Sequence, residues 1–101
     1  MTIQVRKSND RETTISLDKT FDFNCVEDFR RAYELCSMEA KSTLIVDFRN
    51  THYIDSSALG MLINLQKFVE PKGCTVMLSN PSTEIRKIFA ISRFDKKFTI
   101  Q

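Results

Sequence analysis

A chain of 101 residues with 15 basic and 13 acidic side chains, 42% hydrophobic residues and only two glycines and two prolines is sized and patterned for one compact domain, 1–101. The formal charge of +2 is near balance and Lys and Arg are interspersed with acids, so no basic stripe exists to track nucleic acid. Apolar runs such as Leu44 to Val46 and Leu59 to Ile63 stop far short of the roughly 20 residues that span a bilayer, and no apolar stretch follows the basic start of the chain; no membrane insertion, no secretion signal and a cytoplasmic setting are expected.

Ile3 and Val5, then Ile15 and Leu17, alternate with polar residues around the turn-forming Ser8-Asn9-Asp10-Arg11, which predicts an N-terminal hairpin. Asn24, with Glu27 three residues on, forms a candidate capping box for a helix from about Cys25 to Met38, whose inner face carries Val26, Phe29, Tyr33 and Cys36. Leu44-Ile45-Val46 is apolar on consecutive positions, as in a central strand covered by helices on both faces. The segment Ser57 to Glu70 reads as helix and stops at Pro71-Lys72-Gly73. Cys74 to Leu78 reads as a second buried strand, Asn80-Pro81 as the start of a helix lined by Ile85, Ile88 and Phe89, and Lys97 to Ile100 as a closing strand. The order ββαβαβαβ predicts an α/β fold with a mixed, largely parallel sheet, an N-terminal hairpin and flanking helices. The loops Leu17 to Phe23, Asp47 to Ser57 and Ser79 to Pro81 should gather at the carboxyl edge of that sheet, where ligands and partners dock.

The segment from Thr51 to Leu62 stands out for three physical reasons. Two hydroxyls, Ser56 and Ser57, sit where a helix begins. They either cap its free amides, as Asp55 could too, or accept a phosphate that those amides and the helix dipole would favour. Gly60 stands in the first turns, where glycine costs about 1 kcal/mol relative to alanine, so close packing on a strand behind or a close-approaching partner in front should offset it. Ala58, Leu62, Leu65 and Val69 form a core stripe, yet Leu59, Met61, Ile63 and Phe68 remain, and they cannot all point inward. The surplus beside Ser56 and Asn64 marks either a well-covered central helix or a partner-binding face.

The string Ile54-Asp55-Ser56-Ser57-Ala58-Leu59-Gly60, preceded by a buried strand and followed by an apolar helix, resembles the signature of STAS domains, specifically the single-domain anti-sigma factor antagonists. The likeness covers almost the whole chain in element order and implies a single STAS domain. It also implies that Ser56 is phosphorylated by a partner serine kinase, often itself the anti-sigma factor, and dephosphorylated by a PP2C-type phosphatase. In such a switch the unphosphorylated form binds its partner and phosphorylation releases it. Asp55, Ser57, Ala58, Leu59, Gly60, Met61 and Asn64 are then the expected partner contacts, and Asp22, in the loop after the second strand, is a further contact to the kinase. The sequence departs from the family at Lys19, where glycine is expected, and Phe21 and Phe23 make the same loop bulkier. Some similar stand-alone STAS proteins act in partner-switching pathways that control biofilm or motility through targets other than a sigma factor. The alternative is a constitutive STAS accessory subunit of a larger complex such as a transporter.

Catalysis finds little support in the residues. His52 is the only histidine, no glycine-rich phosphate cradle occurs, and Asp47 and Asp55 lack His or Cys company, so no enzyme activity, cofactor or metal is expected. Cys25, Cys36 and Cys74 are widely spaced and read as small, reduced core residues. A response-regulator receiver would place its phosphoacceptor at Asp47, but its acidic pair after the first strand is absent, since Asp10 and Glu12 fall in the hairpin turn. The free protein is expected to be a monomer.

Overall fold

Strand β1 (Gln4–Asn9) turns back antiparallel onto β2 (Glu12–Ser16), with Val5 opposite Ile15, as the alternation predicts. The computed structural model describes residues 3–36 and 39–101. From β2 onward every pairing in the main sheet is parallel: β2 with β4 (Thr43–Asp47), β4 with β6 (Thr75–Ser79), and β6 with β7 (Thr99–Ile100). The strand order β1-β2-β4-β6-β7 advances in one direction without reversal. Right-handed crossovers taken always in the same direction deposit their helices on the same face. Helices α1 (Val26–Glu34), α2 (Ser56–Val69) and α3 (Thr83–Ile91) therefore form one layer. The expectation of helices on both faces of the central strand is corrected on this ground. Leu44 and Val46 of β4 are fully buried beneath the helices, whereas Ile45, pointing to the opposite face, is only half-buried.

Local chemistry shifts two helix starts from their expected places. The Asn24 capping box does not form; instead the Asp22 carboxylate accepts the Asn24 N–H at 3.0 Å and opens a 3-10 turn at Phe23–Cys25 that leads into α1. The described helix ends at Glu34, and Met38, the expected end, lies outside the described residues. Asn80 does not cap α3: it adopts a left-handed conformation, φ 56°, and its amide donates to Asp47 at 3.1 Å. The cap is Ser82, whose hydroxyl accepts the Ile85 N–H at 3.2 Å, because Asn80 tolerates the positive φ needed to turn the chain off β6 and leaves capping to the next free side chain.

One apolar core lies between sheet and helices. Through it runs an unbroken succession of rings, Tyr33, Phe29, Phe21, Phe48, Phe89, Phe94 and Phe98, with neighbouring centroids 4.9–6.1 Å apart. Phe21 and Phe48 belong to the loops at the carboxyl edge, so this succession anchors those loops to α1 and α3. Cys25 and Cys74 are buried as expected, while Cys36 is half-buried; all three are free thiols.

Truncating a ring in this succession removes many contacts at once. Phe48→Ala should lower unfolding free energy by about 3–5 kcal/mol, whereas Phe23→Ala, whose ring is 70% exposed, should stay within about 0.5 kcal/mol. Urea titration followed by circular dichroism measures both.

Candidate functional site

The sequence-identified loops do meet at one edge. Leu17 N–H donates to the Asp47 carbonyl, Phe48 N–H to that of Ser79, and the Thr51 hydroxyl to that of Asp18 at 2.8 Å, which knits the ends of β2, β4 and β6 together. Beyond this seam the chain forms a two-stranded parallel sheet that periodicity did not reveal, β3 (Thr20–Phe21) beside β5 (Tyr53–Ile54). Phe21 and Ile54 point inward and are buried, and Thr20 and Tyr53 point outward. The small sheet carries Asp22 and Asp55 side by side, each at the start of a helical turn.

Asp55 is the hinge of this arrangement. Its backbone is extended, φ −119° and ψ −175°, as at a helix N-cap, and its side chain accepts the Ala58 N–H at 3.1 Å. The second carboxylate oxygen accepts the Phe23 N–H at 3.3 Å. One carboxylate thus satisfies the first turn of α2 and ties the Asp22 loop to it. The question left open by the two serines is answered by this geometry: capping belongs to Asp55. Ser56, the first residue of α2, is exposed, and Ser57 is half-buried.

Beyond Ser56, the helical repeat sorts the expected contact residues. Gly60 and Asn64 are exposed and follow Ser56 at four-residue spacing, with Leu59 and Ile63 half-buried along their flank. Ala58 is fully buried and Met61 is 6% exposed beneath α1, so their side chains face the core and the apolar rim narrows to Leu59 and Ile63. A Cβ built on Gly60 meets nothing within 4 Å, so close packing on a strand does not explain this glycine. Its open side is the outward one. Two exposed aromatics absent from the expected set border the same surface: Phe23, joined to Asp55 through its amide, and Tyr53 at 55% exposure. Tyr53 alternates with buried Ile54 on β5, and Phe23 opens the 3-10 turn after β3; both are legible only once the short strands are known.

His52 is exposed, with its backbone N–H donating to the Lys19 carbonyl at 2.8 Å. Burial pushes the Cys25 thiol above its ordinary range, as the nearby Asp22 and Asp28 charges also do, outweighing a hydrogen bond from the Asp22 backbone that acts the other way. Burial likewise raises the Cys36 thiol. Neither is an activated nucleophile. Among the described residues, no group of three or more His, Cys, Asp or Glu side chains converges, and no helix is long and apolar enough to cross a membrane.

Comparison with known proteins agrees with this arrangement. The family model described as STAS domain matches residues 2–101. A STAS-domain containing protein of Pseudomonas aeruginosa is 43% identical over 90 residues, which is 89% of this chain and 88% of that protein. Among solved structures, the anti-sigma factor antagonist SpoIIAA in its unphosphorylated form superposes with a TM-score of 0.73 at 22% identity, covering 99% of this chain and 87% of that one. The phosphorylated form of the same Bacillus protein gives 0.71 at 22% identity, over 99% and 91% of the two chains. An anti-sigma factor antagonist from Mycobacterium paratuberculosis gives 0.76 at 19% identity, over 98% and 83%. At these identities the structural likenesses establish the α/β fold with its mostly parallel mixed sheet.

The division of labour between Asp55 and Ser56 has a measurable consequence. Asp55→Ala should cost about 1–2 kcal/mol of stability, since it removes a helix cap and a tie to the Asp22 loop, while Ser56→Ala should change stability by less than about 0.5 kcal/mol. Equilibrium denaturation of the two variants beside the unmodified protein separates them.

Proposed function

Because the chain belongs to the STAS-domain family, we propose that it is a phosphorylation-controlled partner-switching regulator: its unphosphorylated form binds a regulatory protein, and phosphate on Ser56 releases that protein. The observation that carries this reading is the exposed Ser56 hydroxyl at the start of a helix already capped by Asp55. A capping serine would be withdrawn from solvent and its modification would cost the helix its cap. Ser56 instead can receive a phosphoryl group with α2 intact, and the free amides and dipole of the first turn favour the added anion. SpoIIAA, whose fold this chain shares, is known in both phosphorylated and unphosphorylated forms.

The proposed partner is a serine kinase of the anti-sigma factor type or a protein with an equivalent docking face, and a PP2C-type phosphatase resets the switch. The molecule works as one domain in the cytoplasm, as a binding protein and not as a catalyst. Its contact surface comprises Ser56, Ser57, Leu59, Gly60 and Asn64 on α2, with Asp22 and Asp55 at its edge. A phosphoserine brings about −1.5 to −2 charge to a rim that already holds Asp55. Covering that rim would strip water from the phosphate next to a carboxylate, at a cost no contact on Leu59 or Gly60 offsets. An on/off ratio of about 100 requires only about 2.7 kcal/mol of differential affinity, which local desolvation and repulsion supply without refolding. The exposure of Ser56 also favours this switch over a constitutive accessory subunit, in which both serines would serve only the helix.

Incubation with the cognate kinase and ATP, followed by fragment mapping, should place phosphate on Ser56; phosphate on Ser57 alone would overturn the assignment. In calorimetry with the purified partner, Ser56→Asp should weaken binding at least about tenfold, Ser56→Ala should bind constitutively, and Leu59→Lys should weaken binding in both backgrounds. Equal affinities for folded Ala and Asp forms would rule the mechanism out.

A further inference from the structure

We propose that the step between β1 and α1 is a self-association face, on which a second copy of this chain docks across a two-fold axis with β1 against β1 and α1 against α1. The helical layer ends one strand short of the sheet. Val5 pairs with Ile15 and shares its face, yet Ile15 is fully buried and Val5 is 45% exposed. All six residues of β1 are exposed, and among the described residues the strand's outer edge has no neighbour in the sheet. The result is an open groove of about 510 Å³, floored by Ile3 and Val5 and walled by α1 and the residues just after it, where Leu35 is 77% exposed.

The charges in this groove identify the occupant. Asp28 and Arg31 stand on its helical wall three residues apart, one turn along the same face. A two-fold axis passing between them sets each carboxylate opposite the other copy's guanidinium, so a single patch satisfies itself twice, as an isologous interface requires. An antiparallel β1 pair centred on Val5 places Gln4 opposite the other copy's Arg6, and no like charges on β1 face each other. Unpaired strand edges favour such pairing, and Val5 and Leu35 of each copy would lose their exposure in it. The face is small, which fits a weak dimer with a dissociation constant of about 10–100 µM. It departs from the sequence expectation of a monomer. The face runs along α1 from Asp28, in its first turn, to Leu35 beyond its end, and none of its lining residues belongs to the Ser56 surface on α2, so this association does not rest on the switch proposed above.

Sedimentation equilibrium on the full chain, from about 5 to 500 µM, reads the result directly. The mass should rise from 11.7 kDa towards twice that value with concentration. Asp28→Arg and Arg31→Asp should each weaken association at least about tenfold, Leu35→Glu should do likewise, and the Asp28→Arg/Arg31→Asp double variant should recover to within about threefold of the original. All three positions are on the surface, and circular dichroism verifies that each variant is folded. A mass of 11.7 kDa at every concentration would overturn the proposal, including the case in which another part of the chain fills the groove. So would a dimer indifferent to these substitutions, a double variant that fails to recover, or a dimer abolished by Leu59→Lys instead.

Discussion

Three right-handed crossovers laid in one direction constrain everything else in this molecule. They place α1, α2 and α3 on a single face of the sheet, so the deep core lies between that face and the helices, and every large ring in the chain's aromatic succession is drawn into it. They also send all the strand-to-helix loops to one edge. With just two glycines, these loops hold their shape less by special backbone conformations than by anchoring: Phe21 and Phe48 insert from the edge into the core, and backbone hydrogen bonds join neighbouring loops.

On that anchored edge, Asp55 settles what each neighbouring residue is free to do. An N-cap carboxylate usually serves one helix, but this one also accepts an amide from the loop leading to α1. Two consequences follow from one side chain. The Asp22 loop is held against the start of α2, and Ser56 is relieved of structural duty at a position where an anion is electrostatically welcome. An exposed residue with no capping role, set in a favourable field, fits the modification proposed above. The same profile explains how a switch could act through surface chemistry alone, because changing Ser56 need not change the fold.

The single helical layer has a second outcome at the opposite side of the sheet. A layer of three helices covers β2, β4 and β6 but leaves β1 overhanging, which exposes Val5 beside α1. The groove beside this overhang is lined by β1 and α1, whereas Ser56, Gly60 and Asn64 stand on α2.

Much of this was legible in the sequence, for identifiable reasons. Periodicity is a local property, so the hairpin around Asn9, the strand at Leu44 to Val46 and the helix after Asp55 are readable from their own residues, and the string from Ile54 to Gly60 carried the family resemblance that the match over residues 2–101 establishes. Caps are local too, yet several side chains compete for each: Asp22 displaced the Asn24 box, and Ser82 replaced Asn80 once Asn80 took a left-handed turn. The two-residue strands β3 and β5 are too short to show a period and exist only because each pairs with the other. Which face of α2 is surface was likewise undecidable from a helix apolar on several sides; the placement of α1 buried Met61 and left Leu59 at the rim. The sequence by itself determined the element order and the residues able to cap, bury or accept a phosphate, since these follow from side-chain chemistry and near-neighbour spacing. Only the tertiary structure decided that Asp55 also holds the Asp22 loop against the start of α2, and that the helices share one face, because both depend on contacts between segments 30 or more residues apart, such as the one joining Phe23 to Asp55.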